Sequence, residues 1–198
     1  MRTAGRGRRW GRVQLMKSKF FKETIAPSLV LVLICLVIPF ALVLTNSVTK
    51  PQIEKIAKAN ADKTRSQVLP TADSFTKYKG KLSNGVVEFY IANNKSGGVV
   101  TAQGKSFGGT LTAMIGIDKD GAITGVEVTN HSDTPGLGTK AMTKEYLKKY
   151  QKIKELKGAK IKDEKSVDHV VGASISSNGV YTAVKNALAQ FKDAGGIK

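Results

Sequence analysis

Two short stretches hold the residue types best suited to chemistry. "VVGASISSNGV", residues 170–180, sets Ser174, Ser176, Ser177 and Asn178 between Gly172 and Gly179, just ahead of an apolar pattern at helical spacing. Hydroxyls in that position can accept from the free N–H groups that open a helix. The same N–H groups, with the helix dipole, also favour an anion such as phosphate. Capping is the commoner use of such residues, and a hydroxyl there can also be a covalent attachment point. The second stretch is "NHSDTPGLGTKAM", residues 130–142. Asp133-Thr134-Pro135-Gly136 is turn chemistry, and Gly136 and Gly138 free the backbone around Leu137. His131 by itself reads as a surface or strand-end residue.

Other chemistries have little support. Cys35 is the single cysteine and sits in an apolar run. That excludes a disulfide framework, a thiolate catalyst and a Cys-based metal site. No metal ligands and no general acid or base are assigned. The formal net charge is +17, but the lysines are dispersed and lack interleaved aromatics. A solvated surface fits them better than a nucleic-acid patch, so no nucleic-acid partner is expected.

The elements that position the two stretches begin with an anchor. No charged residue occurs from Thr24 to Thr49. About 21 apolar residues at about 1.5 Å each span about 31 Å, which matches a hydrocarbon core of about 30 Å. The run exceeds the apolar region of a cleaved signal peptide, and Thr45-Asn46-Ser47 is a poor cleavage site. Residues 25–46 therefore read as a retained transmembrane helix. Eight cations and only Glu23 precede it. Residues 1–24 are accordingly a cytoplasmic, lipid-touching flank, and the rest of the chain lies beyond the membrane. Without that flank the exported part carries about +10.

Beyond the anchor, 47–80 reads as a helical linker. Ile53, Ile56, Ala57, Ala61, Val68 and Leu69 recur at near-helical spacing, with Pro51 in a first turn and Pro70 after the last. Residues 86–92, 97–104 and 110–117 are β-branched runs bounded by glycine or asparagine. Asp120-Gly121 between two apolar runs in 117–130 signals a hairpin. Lysine-rich residues 139–157 suggest a helix, and Val180, Ala183, Val184, Ala187, Leu188 and Phe191 mark another. Strands followed by helices give an α+β class, with one domain over 81–198 built on a mainly antiparallel sheet with flanking helices.

The stretch from Asp168 through Gly172, Ala173 and Ser174 resembles the flavinylation motif of FMN-binding domains, an aspartate ahead of Ser/Thr-Gly-Ala-Thr/Ser. Val171 stands where that family usually has Ser or Thr, and Ser174 where Thr is commoner; serine offers the same hydroxyl. "HSDTPGLG" likewise resembles the family's His-x-Glu-Thr-Pro-Gly-Leu-Gly loop, with Asp133 in place of Glu. Gly108-Gly109, "GIDKDGAITGVEV" and Ser177-Asn178-Gly179-Val180 add to the likeness, which covers nearly the whole chain. It is similar to the G subunit of the Rnf complex, a relative of the C subunit of the sodium-pumping NADH:quinone reductase.

The resemblance implies covalent FMN, joined by phosphoester to Ser174 and installed from FAD by a flavin transferase that recognises Asp168. It implies that backbone N–H groups near Ser176, Ser177 and Asn178 hold phosphate oxygens. The loop of His131, Thr134, Pro135, Gly136, Leu137 and Gly138 would lie beside the ring. The implied activity is electron transfer within a membrane complex that couples ferredoxin:NAD⁺ chemistry to Na⁺ or H⁺ movement. The other subunits, the transferase and the bilayer are the implied partners. Two alternatives stay open: the quinone-reductase subunit, and a non-redox basic surface-binding module. A reporter fused after Lys198 is expected to be active on the side of the membrane opposite the cytoplasm. Cytoplasmic reporter activity would contradict that orientation.

Overall fold

The computed structural model describes residues 25–196, so the basic segment 1–24 lies outside the described residues. The chain divides into two compact units between Lys58 and Ala59. Helix α1 runs from Ala26 to Val68 as one 43-residue element. Its most apolar stretch has a mean hydropathy of 2.9, and none of that stretch is buried. A helical stretch apolar on every side with nothing packed on it suits lipid. Among the described residues it is the helix long and apolar enough to cross a membrane.

Pro51 does not open a second helix. α1 passes through both Pro39 and Pro51. Proline's fixed φ fits a helix, and each proline removes one i to i−4 bond without ending the element. Thr45, Ser47 and Thr49 turn their hydroxyls back onto the carbonyls of Ala41, Leu44 and Thr45, at 2.8, 2.8 and 2.7 Å. Those bonds satisfy hydroxyls that would be costly if unpaired in an apolar setting.

The second unit is built on a five-stranded antiparallel sheet in the order β1-β2-β3-β4-β5. The strands are β1 Phe75–Lys77, β2 Val86–Ala92, β3 Gly97–Ser106, β4 Gly109–Asp118 and β5 Ile123–Asn130. Four of them fall on the expected runs, and Asp120-Gly121 lies in the β4–β5 turn. β1 was not anticipated; it lies in the segment read as helical linker, which is helical only to Val68.

Alternation along the strands makes two apolar faces. Val100, Ala102, Leu111, Ala113, Ile115 and Ile117 point into the larger core, while Val99 and Met114 point to the other side. There they meet Val68, the last residue of α1, and Leu69 just beyond it. Arg65, in the last turn of α1, is buried with its guanidinium 3.8 Å over the Tyr90 ring and 3.5 Å from Glu88 Oε2.

The expected helix over 139–157 is broken into pieces: a 3-10 turn at Gly138–Met142, the one-turn α2 at Lys144–Leu147, and a 3-10 turn at Lys148–Tyr150. The sheet overrides the helical pattern. Lys152 N–H donates to the Ile123 carbonyl at 2.8 Å, and Ile153 returns a carbonyl to Ile123 N–H at 3.0 Å. Lys152 takes φ 68° to make that turn, a conformation no helix allows.

Helix α3, Ser174–Asp193, covers the larger face. It buries Val180, Ala183, Val184, Ala187 and Phe191 of the expected stripe and adds Tyr181, while Leu188 is only partly buried. Each such Val or Phe contributes about 1.5–3 kcal/mol by leaving water. Gly195 and Gly196, at φ 79° and 66°, close the helix in the left-handed region.

α3 lies close on β3 because both contact points are glycines. A methyl group at Gly104 would stand 1.9 Å from the Gly179 carbonyl oxygen, and one at Gly179 would stand 2.8 Å from the Lys105 carbonyl oxygen. Gly104→Ala is expected to destabilise the fold by about 1–3 kcal/mol through overpacking. The check is a lower urea midpoint for the detergent-solubilised chain.

Candidate functional site

The start of α3 is organised by backbone rather than by a side-chain cap. Gly172 adopts φ 80°, and Ala173 N–H donates to the Val170 carbonyl at 3.0 Å, making a tight turn into the helix. No side chain caps α3 among the described residues, so the expected serine cap is not made. The reason is position. Ser174 is already the first helical residue, and Ser176 and Ser177 lie inside the first turn. Ser177 is fully buried, and its hydroxyl accepts from Val170 N–H at 3.0 Å, folding the preceding turn onto the helix.

The first intrahelical bond is from Ser177 N–H to the Ala173 carbonyl, 2.8 Å. The N–H groups of Ser174, Ile175 and Ser176 therefore have no intrahelical acceptor. Those three residues border a cavity of about 300 Å³, together with Gly172, Ala173, Thr134, Leu137, Gly138 and Phe107. The two sequence stretches, more than thirty residues apart, thus form opposite walls of one cleft. Its apolar surface comes from Leu137, Ile175 and Phe107, which are 50%, 55% and 70% exposed. Exposed large apolar residues around a concave site mark a binding surface.

Seven of the residues singled out from sequence line the cleft: Ser174, Gly172, Ala173, Ser176, Thr134, Leu137 and Gly138. His131, Pro135, Gly136 and Asp168 are exposed and not among its lining residues. Ser177 and Asn178 face elsewhere; Asn178 Oδ1 accepts from Ile161 N–H at 3.1 Å. Sequence reasoning missed Phe107 and Ile175. An aromatic at a hairpin tip, Ser106-Phe107-Gly108-Gly109, was the available signal for the first.

Two carboxylates hold the loops around the cleft. Asp133 is 4% exposed, and its Oδ1 accepts from Ser106 Oγ at 2.7 Å and from Gly108 N–H. Burial opposes its charge. The hydrogen bonds from Ser106 and Gly108 N–H, with the nearby Ser176 hydroxyl and His131, outweigh burial and keep the pKa below the ordinary aspartate value. Glu164 organises the segment leading to the 168–174 turn. Its Oε1 accepts from Ser166 Oγ at 2.6 Å and Lys165 N–H at 3.0 Å, and its Oε2 from Lys157 N–H at 2.9 Å and Gly158 N–H at 3.1 Å. The buried Tyr181 hydroxyl donates its one proton to the Gly158 carbonyl at 2.7 Å, with Glu164 Oε2 a second acceptor at 3.2 Å.

Apolar side chains beside three N–H groups without helical acceptors suit a partly apolar ligand with an anionic end. The FMN-binding domain family matches residues 106–189, a range containing every lining residue of the cleft. The G subunit of an ion-translocating oxidoreductase complex from Methanosarcina acetivorans is 30% identical over 176 residues, covering 84% of this chain and 94% of that protein. The G subunit of a proton-translocating ferredoxin:NAD(+) oxidoreductase complex from Clostridium ljungdahlii is 30% identical, over 60% of this chain and 65% of its own. The corresponding subunit of a Na(+)-translocating complex from Acetobacterium woodii is 28% identical, over 83% and 90%. The family match defines an FMN-binding domain, and the cleft lies within its range, after one long apolar helix among the described residues. The chain belongs to the family of G subunits of ion-translocating oxidoreductase complexes.

Ser166, first of all, and the N–H groups of Gly158, Ser166 and Lys165 hold the Glu164 pKa down to about 2, against the opposing effect of burial. A depressed folded pKa stabilises above the ordinary value near 4.5, and that contribution is lost as pH falls through about 2. Glu164→Gln is therefore expected to be less stable than wild type at pH 6, with the gap closing towards pH 2. Equal urea midpoints at pH 6 would contradict the assignment.

Proposed function

We propose that this chain is the membrane-anchored flavoprotein subunit of an ion-translocating oxidoreductase complex, with FMN covalently joined to Ser174. The observation that carries the reading is the shared cleft: Thr134, Leu137 and Gly138 face Gly172, Ala173, Ser174 and Ser176 across about 300 Å³. The residues present fit the cofactor. Phe107, Leu137 and Ile175 offer apolar contact for an aromatic ring, and three N–H groups free of helical partners open α3 for a phosphate. The cavity is at the small end for a ligand site, consistent with a cofactor that stays partly accessible to a partner.

Ser174 is half-buried at the edge of the cleft, so its hydroxyl suits a tether that leaves the ring between the two loops. When bound, FMN supplies the redox chemistry, accepting and releasing electrons. The protein's part is to hold it and shape its field. Asp168 is exposed, as a residue read by a flavin transferase must be. The other subunits of the complex are the electron partners, and the lipid bilayer holds α1. The domain lies on the side opposite the cytoplasm, where a covalent bond prevents loss of cofactor. Relatives of similar identity are named for proton and for Na⁺ translocation, so the coupling ion is not set by the likeness.

Coexpression with a flavin transferase, which would release AMP from FAD as the serine oxygen takes the FMN phosphate, is expected to give a polypeptide heavier by one FMN less a water, fluorescent in denaturing gels. Ser174→Ala should abolish the adduct while leaving the circular dichroism unchanged. Ser174→Thr should retain it. Peptide mass mapping checks the position, and FMN on Ser176 would overturn the choice of Ser174.

A further inference from the structure

Behind the cleft lies a buried charge that binding FMN does not by itself require. Asp133 is 4% exposed and has no ion-pair partner among the described residues. Its Oδ1 is engaged by Ser106 Oγ and Gly108 N–H, while Oδ2 has no hydrogen-bond partner. Two cleft-lining residues separate it from the cavity. A methyl group at Gly138 would stand 2.8 Å from Asp133 Cβ, 3.0 Å from its Cγ and 2.9 Å from Ser176 Oγ. The carboxylate therefore sits immediately behind the wall formed by Gly138 and Ser176. Its other contacts hold the hairpin tip that carries Phe107.

We infer that Asp133 is a positioning residue that sets the redox potential of the cofactor in the cleft, its fixed negative charge opposing the arrival of electrons there. This rests on the FMN reading above. The physical basis is short range and weak screening: a charge buried within a few ångströms of a site interacts far more strongly than one in water. Reduction adds negative charge to the ligand, and a neighbouring carboxylate raises the cost of that step. The hydrogen bonds from Ser106 and Gly108 fix the charge in place and spread part of it onto the hairpin. Because Ser106 donates to the carboxylate, the serine partly neutralises the field that the cleft feels.

Charge and shape make opposite demands on two substitutions at this one hydrogen bond. Asp133→Asn removes the charge and should raise the midpoint potential. Ser106→Ala keeps the charge but removes a donor to it, and should lower the potential. Asp133→Glu keeps the charge and should restore a potential close to that of wild type. A purely structural disturbance of the hairpin would give no such reversal of sign.

The measurement is spectroelectrochemical titration of the full-length chain, produced with a flavin transferase and purified in detergent. Circular dichroism checks the fold of each variant. If Asp133→Asn does not fold, the fall in Ser106→Ala decides alone. An unchanged potential in a folded, flavin-bearing Asp133→Asn protein, or shifts of the same sign in both variants, would overturn the inference and leave the FMN reading standing. Wild-type protein without flavin would overturn both.

Discussion

The contact between Gly104 and Gly179 is the constraint on which the rest of the domain depends. It lets the first turns of α3 lie directly on the backbone of β3, where any side chain would collide with a carbonyl oxygen. That approach brings residues 172–176 beside the tip of the β3–β4 hairpin and the 134–138 loop. Without it the helix would still have an apolar stripe to bury, but its first turns would stand off from the sheet. Two carboxylates then fix what the glycines bring near. Asp133 ties the hairpin tip to the 132–133 backbone, and Glu164 gathers the N–H groups of the segment before the Gly172 turn. Carboxylates accepting several backbone N–H groups are among the stronger polar restraints available to a loop.

Much of this was legible in the residues because local and tertiary demands agree. Residues 86–92 are β-branched and aromatic and form a strand over that same range; Asp120-Gly121 makes the β4–β5 turn. The stripe from Val180 to Phe191 is the buried face of α3. The two loops of the cleft stood out for their glycines and hydroxyls, and their resemblance to a flavin-binding family implied that they lie together; Thr134, Leu137 and Gly138 line one cleft with residues 172–176.

What was not legible depends on partners distant in sequence. The lysine-rich run at 139–157 carries a helical pattern, yet Lys152 and Ile153 pair with Ile123 and break it. β1 is three residues long and exists because Phe75, Thr76 and Lys77 find Ala92, Ile91 and Tyr90. The serines of α3 looked like caps, but the helix begins at Ser174 itself, so Ser177 was free to hold Val170 instead. Asp133 reads as an ordinary turn aspartate until Ser106 and Gly108, 27 and 25 residues earlier, appear beside it.

The plain meander of the sheet has a consequence for the order of assembly. Each strand pairs only with its neighbours in sequence, so the sheet closes short loops and can form early as the chain is made. The cleft cannot. It needs Phe107 from the middle of the domain and Ile175 from the last helix, so its walls meet only after α3 has docked. A maturation enzyme acting on the folded site would therefore meet a finished substrate or none, and incomplete chains would escape modification by kinetics alone.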